Sequence, residues 1–144
     1  MSVTEQLELI YSEYAERAEQ AEQESGLFDG VLGMGSDPKK DPCHMAFYER
    51  LEAWVSDFRK QQPGPEEAFE AAEYILMAAD SRRGQNTYWF CYAAQGLAEK
   101  LVNLLRPEQC RDLAERYEAC YPRRDRMPVQ KNVLRRLKKR SREK

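Results

Sequence analysis

The most apolar pattern in the chain runs from Asn86 to Leu105, N-T-Y-W-F-C-Y-A-A-Q-G-L-A-E-K-L-V-N-L-L, in which only Glu99 and Lys100 are charged. Stepped at about 100° per residue, Phe90, Cys91, Ala93, Ala94, Leu97, Ala98, Leu101, Val102, Leu104 and Leu105 fill one broad arc. Tyr88, Tyr92, Gln95, Glu99 and Asn103 fill the opposite one. A helix apolar over half its circumference is mostly buried, so the pattern predicts a central core helix over about 86–105, capped by Asn86 or Thr87. Gly96 inside it costs about 1 kcal/mol relative to Ala. Such a glycine marks a close approach by a bulky neighbour, expected here from the region of Trp54 and Phe58.

The same three- and four-residue spacing recurs on both sides. Val3, Leu7, Ile10, Tyr14, Ala18 and Ala21 predict a first helix from about Thr4 to Glu24, capped by Ser2 or Thr4. Its other faces carry Glu5, Glu8, Glu13, Glu16, Glu19, Glu22 and Glu24 against Arg17, a solvated face or an acidic surface for a basic partner. Phe47, Tyr48, Leu51, Trp54, Val55 and Phe58 predict a second helix, with Asp41 as N-cap, Pro42 at its first position and an end near Gln62. A third opens on Pro65 with Glu66 and Glu67 in its first turn. It buries Ala68, Phe69, Ala72, Ile75, Leu76 and Ala79 and closes on Ser81-Arg82-Arg83 with Gly84 at C′. Beyond the central helix, Pro107 opens another with Cys110, Leu113, Ala114, Tyr117 and Cys120 on one face, ended by Tyr121-Pro122. Pro128 opens the last, with Val129, Val133, Leu134 and Leu137 on one side and most Lys and Arg on the other.

The expected fold is therefore all-α, a single compact bundle of five or six helices. No tetratricopeptide signature or other repeat joins the helix pairs into a solenoid. The scarcity of Val, Ile and Thr and the abundance of Ala, Leu, Glu, Gln and Arg agree with that class, and 144 residues is the size of one domain.

Between the first two helices, Gly26 to Pro42 reads as a loop, with four of the seven glycines and two prolines. It carries Leu27, Phe28, Val31, Leu32 and Met34, so the expectation is a packed lid over the bundle. It has neither GxxxxGK[ST] nor GxGxxG, which argues against a phosphate-cradling loop.

Charge changes the picture more than composition does. From Pro122 onward eleven Lys and Arg face two acids, a balance of +9, so a chain of net charge −2 has −11 on residues 1–121. The expected organisation is an acidic helical body, 1–121, and a basic amphipathic C-terminal helix, 122–144, docked on the same domain. Sequence-independent nucleic-acid binding would use Arg123, Arg124, Arg126, Lys131, Arg135, Lys138, Lys139 and Arg142. Against it, the segment holds no aromatic residue to stack on bases, and the acidic body repels phosphates within a Debye length of about 8–10 Å. A purely structural helix and a protein- or membrane-targeting helix are the competing readings.

Two further clusters bear on chemistry. Cys43 falls near the start of the second helix, where unpaired amides favour a thiolate, and His44, the only histidine, follows it. Neighbours on a helix point about 100° apart, so the two form no natural dyad; a small half-buried thiol beside a solvated or cap-bonded imidazole is the plainer reading. The polar arc of the central helix, Tyr88, Tyr92, Gln95, Glu99 and Asn103, together with Glu73, is a candidate ligand pocket beneath the glycine loop. One histidine cannot build a di-iron carboxylate site, and the four cysteines lack CxxC spacing. No metal and no cofactor are implied, and no catalytic motif such as GxSxG is present.

The N-terminus has no basic, apolar signal-peptide pattern, and no run of about 18 apolar residues spans a bilayer. The expectation is a small cytoplasmic interaction or regulatory protein, leaning away from enzymes, with a protein partner or self-association. The alternatives are a nucleic-acid-binding accessory protein using the basic helix, and a small-ligand-binding or thiol-dependent enzyme near Cys43 and His44.

Overall fold

A computed structural model describes the backbone of residues 1–32 and 42–143 and the side chains of residues 1–21 and 42–143. Among these residues six α-helices and no strands are found: α1 Val3–Leu32, α2 Pro42–Lys60, α3 Pro65–Met77, α4 Tyr88–Ala94, α5 Pro107–Cys120 and α6 Pro128–Ser141. Short 3₁₀ turns at Asp80–Arg82 and Arg123–Asp125 and a long 3₁₀ segment at Gln95–Leu104 complete the bundle.

Helix starts follow the residues that favour them. Ser2 Oγ accepts the Glu5 amide at 3.1 Å, which satisfies one of the orphan donors of α1. Proline stands in the first turn of α3, α5 and α6, where its missing N–H is no loss. The Arg106 amide is taken up by Gln109 Oε1 at 2.9 Å. Helix α2 ends through Gln62, whose φ of +52° lies in the left-handed region, and Pro63 prevents continuation. Gly84, expected as a C′ glycine, has φ +84°, but it follows the Asp80–Arg82 turn rather than α3 itself.

The first helix runs eight residues past its expected end at Glu24, so Gly26 to Leu32 continue α1 rather than opening a loop. Glycine weakens a helix by about 1 kcal/mol without stopping it, and the first residue here that cannot continue one is Pro38. The expected lid at 33–41, and Asp41 as N-cap of α2, lie outside the described residues.

The 86–105 stretch is central, as its pattern predicts, but it is not one α-helix. Seven α-helical residues pass into ten 3₁₀ residues, a long run for a form whose hydrogen bonds are poorly aligned. At about 2.0 Å per residue against 1.5 Å, the segment is narrower and longer than its α-helical equivalent. It is gripped by α2, α3 and α6. Burial is not confined to the apolar arc. Tyr92 and Gln95, from the polar arc, are buried, while Ala93 is exposed and Phe90 half-buried. An element enclosed on three sides keeps only a narrow wet strip, here Trp89, Ala93, Lys100 and Asn103, and the polar groups that fall elsewhere must be bonded internally.

The core is continuous, from Leu7, Tyr11 and Tyr14 of α1 through Leu51, Val55, Ile75 and Leu76 to Leu101, Leu113, Val133 and Leu137. Helix α6 lies against α5 and the 3₁₀ segment, with Val133, Leu134 and Leu137 inside and Val129, expected to face the core, 45% exposed. The neighbour that Gly96 admits is Val129, not Trp54 or Phe58.

Candidate nucleic-acid interface

The outward face of α6 bears its cations at four- and three-residue steps: Lys131, Arg135, Lys138, Lys139 and Arg142. Residues at such steps share a helix face. With Arg123 and Arg126 from the preceding turn, and Leu134 at its floor, they line an open groove of about 530 Å³. Seven of the eight cations singled out by sequence are brought together here; Arg124 alone does not line it and instead lies 4.0 Å from Asp125.

The cations of the tail divide into two sets. Arg136 reaches Glu99 at 4.0 Å and Asn103 Oδ1 at 3.4 Å. Lys138 pairs with Glu118 at 3.0 Å. Arg140 donates to the Leu105 carbonyl at 3.1 Å and pairs with Glu143 at 2.6 Å. These side chains tie α6 to the acidic body. Arg123, Arg126, Lys131, Arg135, Lys139 and Arg142 have no carboxylate within 4.0 Å among the described residues, and all six line the groove; Arg126 donates to the Tyr121 carbonyl at 2.9 Å instead. Among the described residues, the body carboxylates that meet the tail, Glu99 and Glu118, come from the 3₁₀ segment and α5, while Glu13 of α1 pairs with Arg50.

A second groove, of about 590 Å³, also borders the 123–127 segment. Arg83, Tyr88, Trp89, Tyr92, Asp125 and Met127 line it. Trp89 is 68% exposed and Met127 58%. The Tyr88 and Tyr92 rings stack at 5.6 Å, and the Arg83 guanidinium sits 5.7 Å from the Tyr88 ring centre, within the range of a cation–π contact. The Tyr92 hydroxyl donates to the Asp125 carbonyl, and Gln130 Nε2 donates to the Tyr92 carbonyl at 2.8 Å. These two bonds fix the aromatic face to the basic tail. Neither Trp89 nor Arg83 stands out by motif. Trp89 falls on neither arc of the helical wheel, and that is its one sequence signal.

The other candidate pocket residues are not gathered into this groove. Gln95 is fully buried and bonded to the Leu76 carbonyl and the Tyr117 hydroxyl. Glu73 pairs with Arg116 of α5, and Glu99 and Asn103 face Arg136 of α6.

His44 is buried at 7% exposure, neither solvated nor, at Nδ1, bonded to a helix end. It stacks on Phe90 at 4.3 Å between ring centres, and its Nδ1 shares a hydrogen bond with the Tyr14 hydroxyl. Cys43 is half-buried beside α1, near Tyr14 and Arg17. Burial drives the Cys91 thiol up to about 12 and the Cys110 thiol to about 11, which makes both poor nucleophiles. Among the described residues no three His, Cys, Asp or Glu side chains converge as a metal site would require, and no helix is long and apolar enough to cross a membrane. Comparison with protein-family models, curated proteins and solved structures gives no match to this chain.

Proposed function

We propose that this chain is a non-catalytic interaction protein whose working surface is the α6 groove, and that its partner is nucleic acid. The observation that carries the reading is the stripe of six groove cations that meet no carboxylate within 4.0 Å among the described residues. In a protein with an excess of acids, a structural helix would be expected to have its charges met by the body, as Arg136 and Lys138 do. A row of unmet charges concentrates polyanions and releases their counterions on contact. Two carboxylates of the body, Glu99 and Glu118, lie 4.0 Å from Arg136 and 3.0 Å from Lys138, which blunts part of the repulsion that −11 on the body otherwise exerts.

Removing the tail is not a clean test, because Val133 and Leu137 belong to the core. The full chain is compared instead with an Arg135→Glu/Lys139→Glu variant, by fluorescence anisotropy of labelled RNA and DNA. Binding should weaken steeply between about 50 and 200 mM salt, and the double variant should lose most of it at the low end. Absence of binding at low salt in the native chain would overturn the reading.

A further inference from the structure

We infer that Trp89, with Tyr88 beside it, is a base-stacking platform at the end of the basic groove, so that the bound nucleic acid is single-stranded. The inference rests on the reading of the α6 groove as a nucleic-acid surface and adds the class of strand. Sequence alone spoke against base stacking, because the basic segment has no aromatic residue; the fold supplies one from α4.

Three observations support it. Trp89 presents most of its surface to solvent, an unusual placement for a large aromatic residue. Its ring stands nearly perpendicular to those of Tyr88 and Tyr92, at 5.2 and 6.2 Å between centres, so neither tyrosine is stacked parallel on it. The aromatic and basic grooves share one segment of chain: Arg123 and Arg126 line one, Asp125 and Met127 the other.

Duplex bases are already stacked on one another, so an exposed indole has nothing to add there. Unpaired bases offer π-faces of any sequence. Arg83, 5.7 Å from the Tyr88 ring and 5.0 Å from that of Tyr121, puts a further cation beside the platform. An acidic peptide would satisfy the cations but has no use for a flat, exposed ring, so the aromatic groove favours nucleic acid.

The test uses full-length protein and labelled oligo(dT), oligo(U) and a DNA duplex, each of roughly 16 nucleotides or base pairs, the upper end of single-module site sizes. In a Trp54→Phe background the remaining tryptophan emission belongs to Trp89, and oligo(dT) should quench it. Trp89→Ala should weaken oligo(dT) and oligo(U) binding roughly 5- to 150-fold, the size of one base–aromatic stack, and leave the duplex affinity unchanged. Trp89→Phe should retain most of the binding. If Trp89→Ala binds the single strands as the native chain does while Arg135→Glu/Lys139→Glu fails, the platform is wrong and the groove stands. If the native chain binds no oligonucleotide even at low salt, the groove reading has failed and the platform falls with it. Poly(glutamate) bound as tightly as oligo(dT), with no dependence on Trp89, would also overturn the inference by making this a face for acidic peptides.

Discussion

Gly96 and Val129 meet at a point where a β-carbon does not fit: one built on Gly96 would lie 2.4 Å from Val129 Cγ1. The pair joins the middle of the central segment to the first turn of α6, and so joins the core to the helix that carries the basic groove. A glycine inside a helical element is otherwise a liability of about 1 kcal/mol; here it permits the approach.

Gly96→Ala is therefore expected to destabilise the protein, although alanine is the better helix former. Overpacking of this kind costs about 1–3 kcal/mol, and the partial exposure of Val129 puts the net effect near the lower end. Val129→Ala in the same chain should remove the clash and leave a protein at least as stable as the native one. Urea midpoints of the two single variants and the double variant measure this. A stabilising Gly96→Ala alone would show that α6 does not press on the segment.

Gln95 carries the second structural prediction. Its Nε2 donates to the Leu76 carbonyl at 3.1 Å and its Oε1 accepts the Tyr117 hydroxyl at 2.7 Å, all inside the core. Gln95→Leu keeps the volume and orphans both partners, each at a cost of about 1–3 kcal/mol. Tyr117→Phe removes one partner and should cost less. Because the two act on one bond, their effects should fall short of additive in a double-mutant cycle. Full additivity would mean that the bond contributes nothing.

Much of the fold is legible in the sequence because it depends on local rules. The apolar spacing, the prolines at helix starts and the composition name the helices and their order. The misreadings arise where tertiary contact decides. Tyr92 and Gln95 are polar, and a helical wheel puts them in water; only packing on three sides makes them core residues. No periodicity separates the 3₁₀ run from an α-helix, because the buried apolar positions in and beside it, 94, 97, 98, 101, 102 and 105, keep steps of three and four. Seven of the groove's cations are visible as a charge run, but their division into met and unmet charges depends on where Glu99 and Glu118 fall. Trp89 becomes meaningful only once the 123–127 segment lies beside it.

Buried acids predict the response to alkali. The Cys91 thiol, at about 12 when folded, stays protonated where the unfolded chain has ionised near 9. Tyr117 and Tyr121 are likewise raised by burial above their ordinary value of 10.0. The folded state then holds more protons than the unfolded one, so stability falls as pH rises. The contribution of Cys91 is whole below about pH 9 and declines toward 12, by at most about 1.4 kcal/mol per pH unit. The tyrosines add to the slope above 10. Urea midpoints should be flat from pH 7 to 8.5 and fall beyond 9. A chromogenic disulfide at pH 8 should leave Cys91 and Cys110 unreacted until denaturant is added. Four fast thiols in the native protein would contradict the burial.

The two sets of cations on the tail should separate by experiment. Arg140 donates to the Leu105 carbonyl, and Lys138 and Arg136 reach Glu118 and Glu99. Neutralising Arg140 leaves that partly buried carbonyl unpaired and should cost about 1 kcal/mol of stability; the exposed pairs contribute less. Lys131, Arg135 and Lys139 meet no carboxylate within 4.0 Å among the described residues, so replacing them with Gln should leave the urea midpoint unchanged. If each contacts one phosphate of a bound single strand, the triple variant should also reduce the slope of log affinity against log salt by about 2, at roughly 0.7 per contact. Arg140→Gln should change that slope little. A triple variant that loses stability while keeping the native salt slope would assign the stripe to the fold instead of to binding.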